Sequence, residues 1–437
     1  MKRKSSYGDS LVAAIRQWLP GRFFSQWVQR AGITWTPQRM LWMAFLITWG
    51  ADQTLKDQFE AARDLLQSLF PRWKLGTTFT GWSEAMRVWS PILQPAVAKR
   101  LRQQMQGLAG RHWHRQGWCA FAADGSRVEC PRTAANEKAL GCAGKERTAP
   151  QLFLTTLWHM GLGLPWDYRI GPGTASERRH LEAMLPTLPN HALLVADAGF
   201  MGYDLCRRII DAGQSFLLRV GANVHLLKEL GFARIENGHT VYLWPTDRQD
   251  QPPLVLRMIV VPRGPQRMVL LTNVLEETAL TDETAAVLYE MRWGIEVFYR
   301  SFKQTLSKRK MRSHAPDQAE RELSWAVLGL WLMGIMSVAA LVAKGYDPLS
   351  WSVAMARKQV RQALRRALTP DRRCPQPLAV ALADARQDGY KRTSAKKARN
   401  WPHKKREQPP GEPKMTVASL KQIARAKQHL GTDRMAA

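Results

Sequence analysis

The stretch Leu323 to Ala343, LSWAVLGLWLMGIMSVAALVA, runs 21 residues without a charged side chain. A run that long and apolar has two physical homes: the hydrocarbon of a bilayer, or the interior of a domain large enough to surround a helix. The segment stands alone and is rich in Ala, Gly and Ser. It follows directly on a helix that carries charged side chains suited to chemistry. The reading it supports is a helix buried inside a large domain, with no membrane partner.

The rest of the chain is compatible with such a core. Its 437 residues leave room for a core domain and smaller appendages, and 45% apolar residues with 18 Trp argue against general disorder. The charge is lopsided, 64 Lys and Arg against 36 Asp and Glu, a net +28. A surplus of that size favours a polyanionic partner: DNA, RNA or an anionic membrane surface. Five cysteines, Cys119, Cys130, Cys142, Cys206 and Cys374, form no C-x-x-C pair. Their odd number and irregular spacing speak against a disulfide framework and a zinc module, and for a reducing cytosol. The opening MKRKSSYGDS is basic with no apolar run behind it, so no secretory signal is expected.

Helical spacing marks Leu11 to Trp18, Met40 to Trp49, Leu55 to Phe70 and Ser83 to Met105, punctuated by Pro37 and Pro71. This gives a helical domain over residues 1–112, whose aromatics among Arg and Lys suit a small bundle binding DNA ends and equally suit an ordinary helical domain. The pattern then changes. Trp118 to Ala123 is an apolar strand ending at Asp124, and Gln151 to Met160 with Leu164 to Ile170 reads as a hairpin. Ser176 can cap a helix from Glu177 to Leu185, and Ala192 to Ala196 is a buried strand ending at Asp197. A helix near Gly202 to Ala212 and a strand at Phe216 to Val220 follow. That order predicts an α/β fold, a mixed sheet covered by helices, as the core over residues 113–345. Strand signals from Gly221 to Leu275 suggest an inserted β-rich subdomain (221–275). Residues 346–437 read as a helical, basic region. Within it Lys391 to Arg406 carries eight cations in sixteen residues, the composition of a solvated, disordered arm.

Chemistry concentrates in YEMRWGIEVFYRSFK. At about 100° per residue, Tyr289, Arg292, Glu296 and Lys303 fall within roughly 60° of one another on a helix. Leu288, Met291, Ile295, Phe298 and Phe302 form a neighbouring apolar stripe. Arg292 and Glu296 can equally be a plain i, i+4 ion pair. Asp124 and Asp197, in FAADGS and LVADAGF, each follow a buried strand, where an aspartate is often only a turn former. If neighbouring strands bring the two together, their repulsion calls for divalent cations, and hard oxygen donors suit Mg²⁺ or Mn²⁺. A third carboxylate, Glu296, would complete a two-metal clamp for displacement at phosphorus.

Asp, Asp and Glu in this order, with Tyr289-x2-Arg292-x3-Glu296-x6-Lys303 around the last, resemble the signature of insertion sequence 4 family DDE transposases. ADGS at Asp124 and DAGF at Asp197 are similar to the family's first two acidic motifs, and the resemblance covers residues 118–343. It implies a ribonuclease H-like core with a β-strand insertion, acting in the prokaryotic cytoplasm at the nucleoid. The implied activity is cut-and-paste DNA transposition by a homodimer on double-stranded transposon ends and target DNA. By this resemblance Asp124, Asp197 and Glu296 bind two Mg²⁺ or Mn²⁺ ions and are catalytic. Tyr289, Arg292 and Lys303 would hold phosphates. The alternative is a catalytically inactive DNA-binding descendant of a transposase. Arg219, closing SFLLR, is a candidate phosphate contact or a plain surface strand end, and Lys145 and Arg147 are candidates for DNA contact or part of a solvated loop. His159 reads as a core histidine. Trp244, although in the insertion where the family can capture a flipped base, reads as a core tryptophan.

Overall fold

The computed structural model describes residues 7–27, 32–50, 54–141, 149–231, 235–263, 266–368, 376–387 and 411–433. The chain opens with helices α1 (Tyr7–Trp18), α2 (Pro37–Trp49), α3 (Leu55–Leu69) and α4 (Phe79–Ala109). Next come β1 (Ala120–Glu129), α5 (Ala134–Leu140), β2 (Gln151–His159), β3 (Leu164–Pro172), α6 (Glu177–Met184), β4 (Leu193–Ala196), α7 (Tyr203–Asp211) and β5 (Ser215–Val220). Strands β6 (His225–Lys228), β7 (Thr240–Leu243), β8 (Leu254–Arg263) and β9 (Gln266–Thr272) precede α8 (Asp282–Met291), α9 (Trp293–Arg300) and α10 (Pro316–Ala343). The chain closes with α11 (Val353–Leu368), α12 (Leu378–Ala383), β10 (Lys414–Val417) and α13 (Leu420–Asp433). The result is a mixed α/β fold, as the sequence predicts.

Two compact units form. The first comprises Met1–His114, Gly125–Ser176 and Gly294–Gln387. Its axis is α10, in which every residue from Leu323 to Val338 is buried. Helices α2, α4 and α12 and strand β3 pack around it. Trp49 Nε1 donates to Gly329 O at 3.0 Å and Trp325 Nε1 to Ser90 Oγ at 2.9 Å, so these deeply buried indoles keep their hydrogen bonds. The helix is long and apolar enough to cross a bilayer, and its interior position accounts for the uncharged stretch without one. Helices α2, α3 and α4 each start at a threonine whose hydroxyl caps them. Thr36 accepts from Arg39 N–H ahead of Pro37, and Thr54 with Asp57 forms a capping box. Strands β2 and β3 are the expected antiparallel hairpin. His159, fully buried beside Trp113, accepts a hydrogen bond at Nδ1 from Leu162 N–H at 3.0 Å and is a core residue.

The second unit comprises Arg115–Asp124, Glu177–Trp293 and Asp388–Ala437. Its strands lie in the order β10-β6-β7-β8-β9-β5-β4-β1. β1, β4 and β5 run parallel, and β5, β9, β8, β7 and β6 pair antiparallel in turn. The β-rich stretch after Gly221 therefore extends the same sheet. Trp244 is a core residue, its Nε1 donating to Arg248 O at 3.2 Å and Gln251 O at 2.8 Å. β10 pairs parallel with β6, an element the polar sequence KMTV does not announce. Cys119 and Cys206 of this unit and Cys130 of the first are buried thiols, each pushed up to about 12 by burial. Cys142, Cys374, Lys145, Arg147 and the run Lys391 to Arg406 lie outside the described residues.

Candidate functional site

The register of three parallel strands builds the site in the second unit. Ala123 of β1 pairs with Ala196 of β4, and Ala196 pairs with Leu218 of β5. One residue further along, Asp124, Asp197 and Arg219 stand level, with neighbouring strands about 4.8 Å apart. They occupy the carboxyl ends of β4 and β5, the edge of a parallel sheet where ligands bind. β1 departs from expectation here. It continues past Asp124 to Glu129, because Arg127 and Val128 keep the exposed and buried alternation of a strand. Asp197 does end its strand. It caps the short turn Ala198–Phe200, and its Oδ1 accepts from Gly199 N–H at 2.9 Å.

That turn brings in a residue the sequence did not single out. A Cβ on Gly199 would sit 2.7 Å from Glu177 Oε1 and 3.0 Å from Asp197 Oδ1. The Glu177 carboxylate, at the start of α6, thus faces the same small volume as Asp197, and only a glycine leaves it open. Arg178 Nε donates to Gly199 O at 2.8 Å and holds the turn from the other side.

Helix α8 completes this group. Thr281 caps it, accepting from Thr284 N–H at 3.2 Å, and Asp282 and Glu283 favour its N-terminal turn. The helix packs against β4 and β8. Near its end Tyr289 is buried, and the Arg292 guanidinium lies 5.5 Å from the centre of the phenol ring. Burial holds the Tyr289 phenol above its ordinary range. Arg292 and Arg219 oppose that shift and Asp197 adds to it. Asp197, Arg219, Tyr289 and Arg292 therefore share one electrostatic neighbourhood, with Asp124 level with Asp197 on the next strand.

Glu296 and Lys303 belong to the first unit. α9 presses Gly294 against Trp158, where a Cβ would fall 2.1 Å from Cη2 of the indole, and Tyr299 Oη donates to Leu154 O at 3.2 Å. Glu296, half-buried, is in the first turn of this anchored helix. The expected uniform helix through all four signature residues does not form. α8 stops at Met291, and Ser301–Thr305, containing Lys303, is a π-helical turn. The extra residue per turn removes Lys303 from the 100° spacing on which the 60° arc rests. Leu288, Ile295, Phe298 and Phe302 of the expected apolar stripe are buried, while Met291, at the end of α8, is only half-buried.

Among the described residues no three His, Cys, Asp or Glu side chains gather into a ready metal cage. Asp124 and Asp197 fit a cation of another habit. Mg²⁺ binds through one or two carboxylates and leaves its remaining positions to water and substrate phosphate.

Residues 116–332 match the family described as Transposase DDE domain. The transposase InsG for insertion sequence element IS4 of Escherichia coli (strain K12) is 26% identical over 268 residues, which span 54% of this chain and 60% of the relative. The match thus covers less than two thirds of that relative. Among solved structures, a piggyBac transposase synaptic complex with hairpin DNA aligns with a TM-score of 0.40 at 11% identity, covering 88% of this chain and 84% of the other. The Mos1 transposase paired-end complex aligns with a TM-score of 0.17 at 14% identity, covering 45% and 64%.

Proposed function

We propose that this chain is a DDE transposase that cuts and rejoins DNA at the ends of a mobile element. The level row of Asp124, Asp197 and Arg219, with Tyr289 and Arg292 beside it, carries this reading, and it lies within the segment matching a transposase DDE domain. Two carboxylates at adjacent strand positions next to two guanidiniums suit a phosphodiester. The arginines grip its non-bridging oxygens through paired N–H donors, and Tyr289, kept protonated, donates a further hydrogen bond. On this reading Asp124, Asp197 and Glu296 hold Mg²⁺ or Mn²⁺. When bound, the cation supplies activation of the attacking hydroxyl and neutralisation of charge at phosphorus.

Lys303 adds a point charge for a neighbouring phosphate. The core is read as ribonuclease H-like, spanning residues 113–345 with 221–275 inserted. The helical segment 1–112 engages the element's ends, residues 346–437 add basic charge, and two copies pair the ends.

The test is cleavage of end DNA in Mg²⁺. Asp124→Asn and Asp197→Asn should abolish strand cleavage while binding persists. Normal nicking by Asp197→Asn would remove the assignment.

A further inference from the structure

The first unit carries a second concentration of positive charge, of which the signature motifs include only Lys303. A cleft of about 1040 Å³ opens between the start of α3, the start of α4 and the segment leading from the π-helical turn to α10. Lys56, Phe79, Lys303, Arg309, Lys310 and Arg312 line it. No acidic side chain is among its lining residues. Among the described residues, the side-chain cations of Lys56, Arg309, Lys310 and Arg312 form no ion pair with a carboxylate within 4.0 Å. Cations crowded together without counter-charges repel one another, and a bound polyanion removes that penalty.

The segment 309–314 is also held still. Arg309 O accepts from Glu129 N–H at 3.2 Å, and Met311 N–H donates to Glu129 O at 2.7 Å. Glu322 accepts from Arg312 N–H, Ser313 N–H and Ser313 Oγ at 2.8 to 3.3 Å. Thr133 Oγ1 donates to His314 O at 2.8 Å. Met311 and Ser313 are buried, whereas Arg309 and Lys310 are exposed. The backbone is therefore a fixed strap anchored on three sides that presents cations to the cleft. A loop merely solvated by its charges has no need of such anchoring.

We infer that this cleft is a phosphate-binding track that holds the backbone of a DNA strand through Lys56, Arg309, Lys310 and Arg312, in continuation of Lys303. The inference rests on the proposed reading for the choice of DNA as the polyanion and for the role of Lys303. Phosphate contacts position a nucleic acid without reading its sequence, so the track serves any DNA sequence.

The test measures affinity of the full chain for a labelled DNA duplex of arbitrary sequence across a salt series. Arg309→Gln with Lys310→Gln should lower the slope of log affinity against log salt by about 0.9 for each lost contact, with roughly tenfold or greater loss of affinity at low salt. Lys56→Gln, from the opposite wall, should add a further decrement. Lys344→Gln with Lys358→Gln removes the same charge from exposed positions outside the cleft, and should leave the slope near that of the parent. Equal slopes for the cleft pair and the control pair would overturn the track. The two proposals fail separately: continued cleavage by Asp197→Asn rejects the transposase site and leaves the salt result standing, and an unmoved salt slope rejects the track and leaves cleavage standing.

Discussion

Gly294→Ala tests how tightly α9 is set. The added methyl group would lie 2.1, 2.7 and 2.9 Å from three carbons of the Trp158 benzo ring. Carbon atoms rest at about 3.5–4.0 Å, so ring or helix must move by roughly 1.5 Å. Overpacking of this kind costs about 1–3 kcal/mol, and Trp158 is itself buried, which places this case toward the upper end. Replacing Gly by Ala inside a helix returns about 0.8–1.0 kcal/mol of propensity. The net expectation is a loss of about 1–2 kcal/mol, a fall of roughly 1–4 °C in melting temperature for a unit of this size. Trp158→Phe removes the clashing carbons, and the Trp158 indole N–H is buried without a partner, so its loss forfeits no hydrogen bond. Thermal melts of the parent, both single variants and the double variant form a cycle. The double variant should recover at least about 1 kcal/mol relative to the sum of the singles. Additive effects would refute the claim that Gly294 is required by the indole. Under the proposed function, DNA cleavage by Gly294→Ala should also drop, since Glu296 follows two residues later.

Further outcomes are expected. Gly199→Ala places a methyl group against the Glu177 and Asp197 carboxylates at a backbone conformation any residue adopts, so melting should shift by less than about 1 kcal/mol while the Mg²⁺ concentration needed for cleavage rises; an unchanged metal titration would count against Glu177 and Asp197 sharing that space. Tyr289→Phe should slow cleavage roughly tenfold to a hundredfold with little loss of stability, the scale of one hydrogen bond to a charged group; equal rates would strip the phenol of its role. The thiols of Cys119, Cys130 and Cys206 rise from 9.0 to about 12 on folding. Their contribution to stability is complete below pH 9 and lost as pH climbs towards 12, because the unfolded chain ionises first, by up to about 1.4 kcal/mol per thiol per pH unit. Urea midpoints at rising pH should show this loss, and Cys206→Ala should flatten it; an identical slope in that variant would refute the cause.

Short buried strands were legible because ALLVA and WCAFAA leave no polar alternative, and the four N-terminal helices because their apolar spacing is regular. Placing Asp197 after such a strand followed from the same signal, whereas β1 runs on past Asp124 to Glu129. That Arg219 stands level with both depends on which strands pair and in what register, and no local pattern in SFLLR encodes that. Glu177 meets Asp197 only because α6 folds back on the turn at Gly199. The π-helical turn at Lys303 escaped because one inserted residue leaves composition unchanged while rotating everything after it. The cationic strap at 308–314 was not singled out, because its tethers lie at Glu129, Thr133 and Glu322, far apart in the chain.

The buried axis α10 has a consequence for biosynthesis. While the chain emerges from the ribosome, its uncharged stretch matches what the membrane-insertion machinery selects. Its partners α2 and α4 are made more than two hundred residues earlier, so a ready apolar face awaits it on the same polypeptide. A gene split between those helices and α10 would strand the later half with nothing to cover it, and co-expression of the two pieces would be the condition for recovering either in folded form.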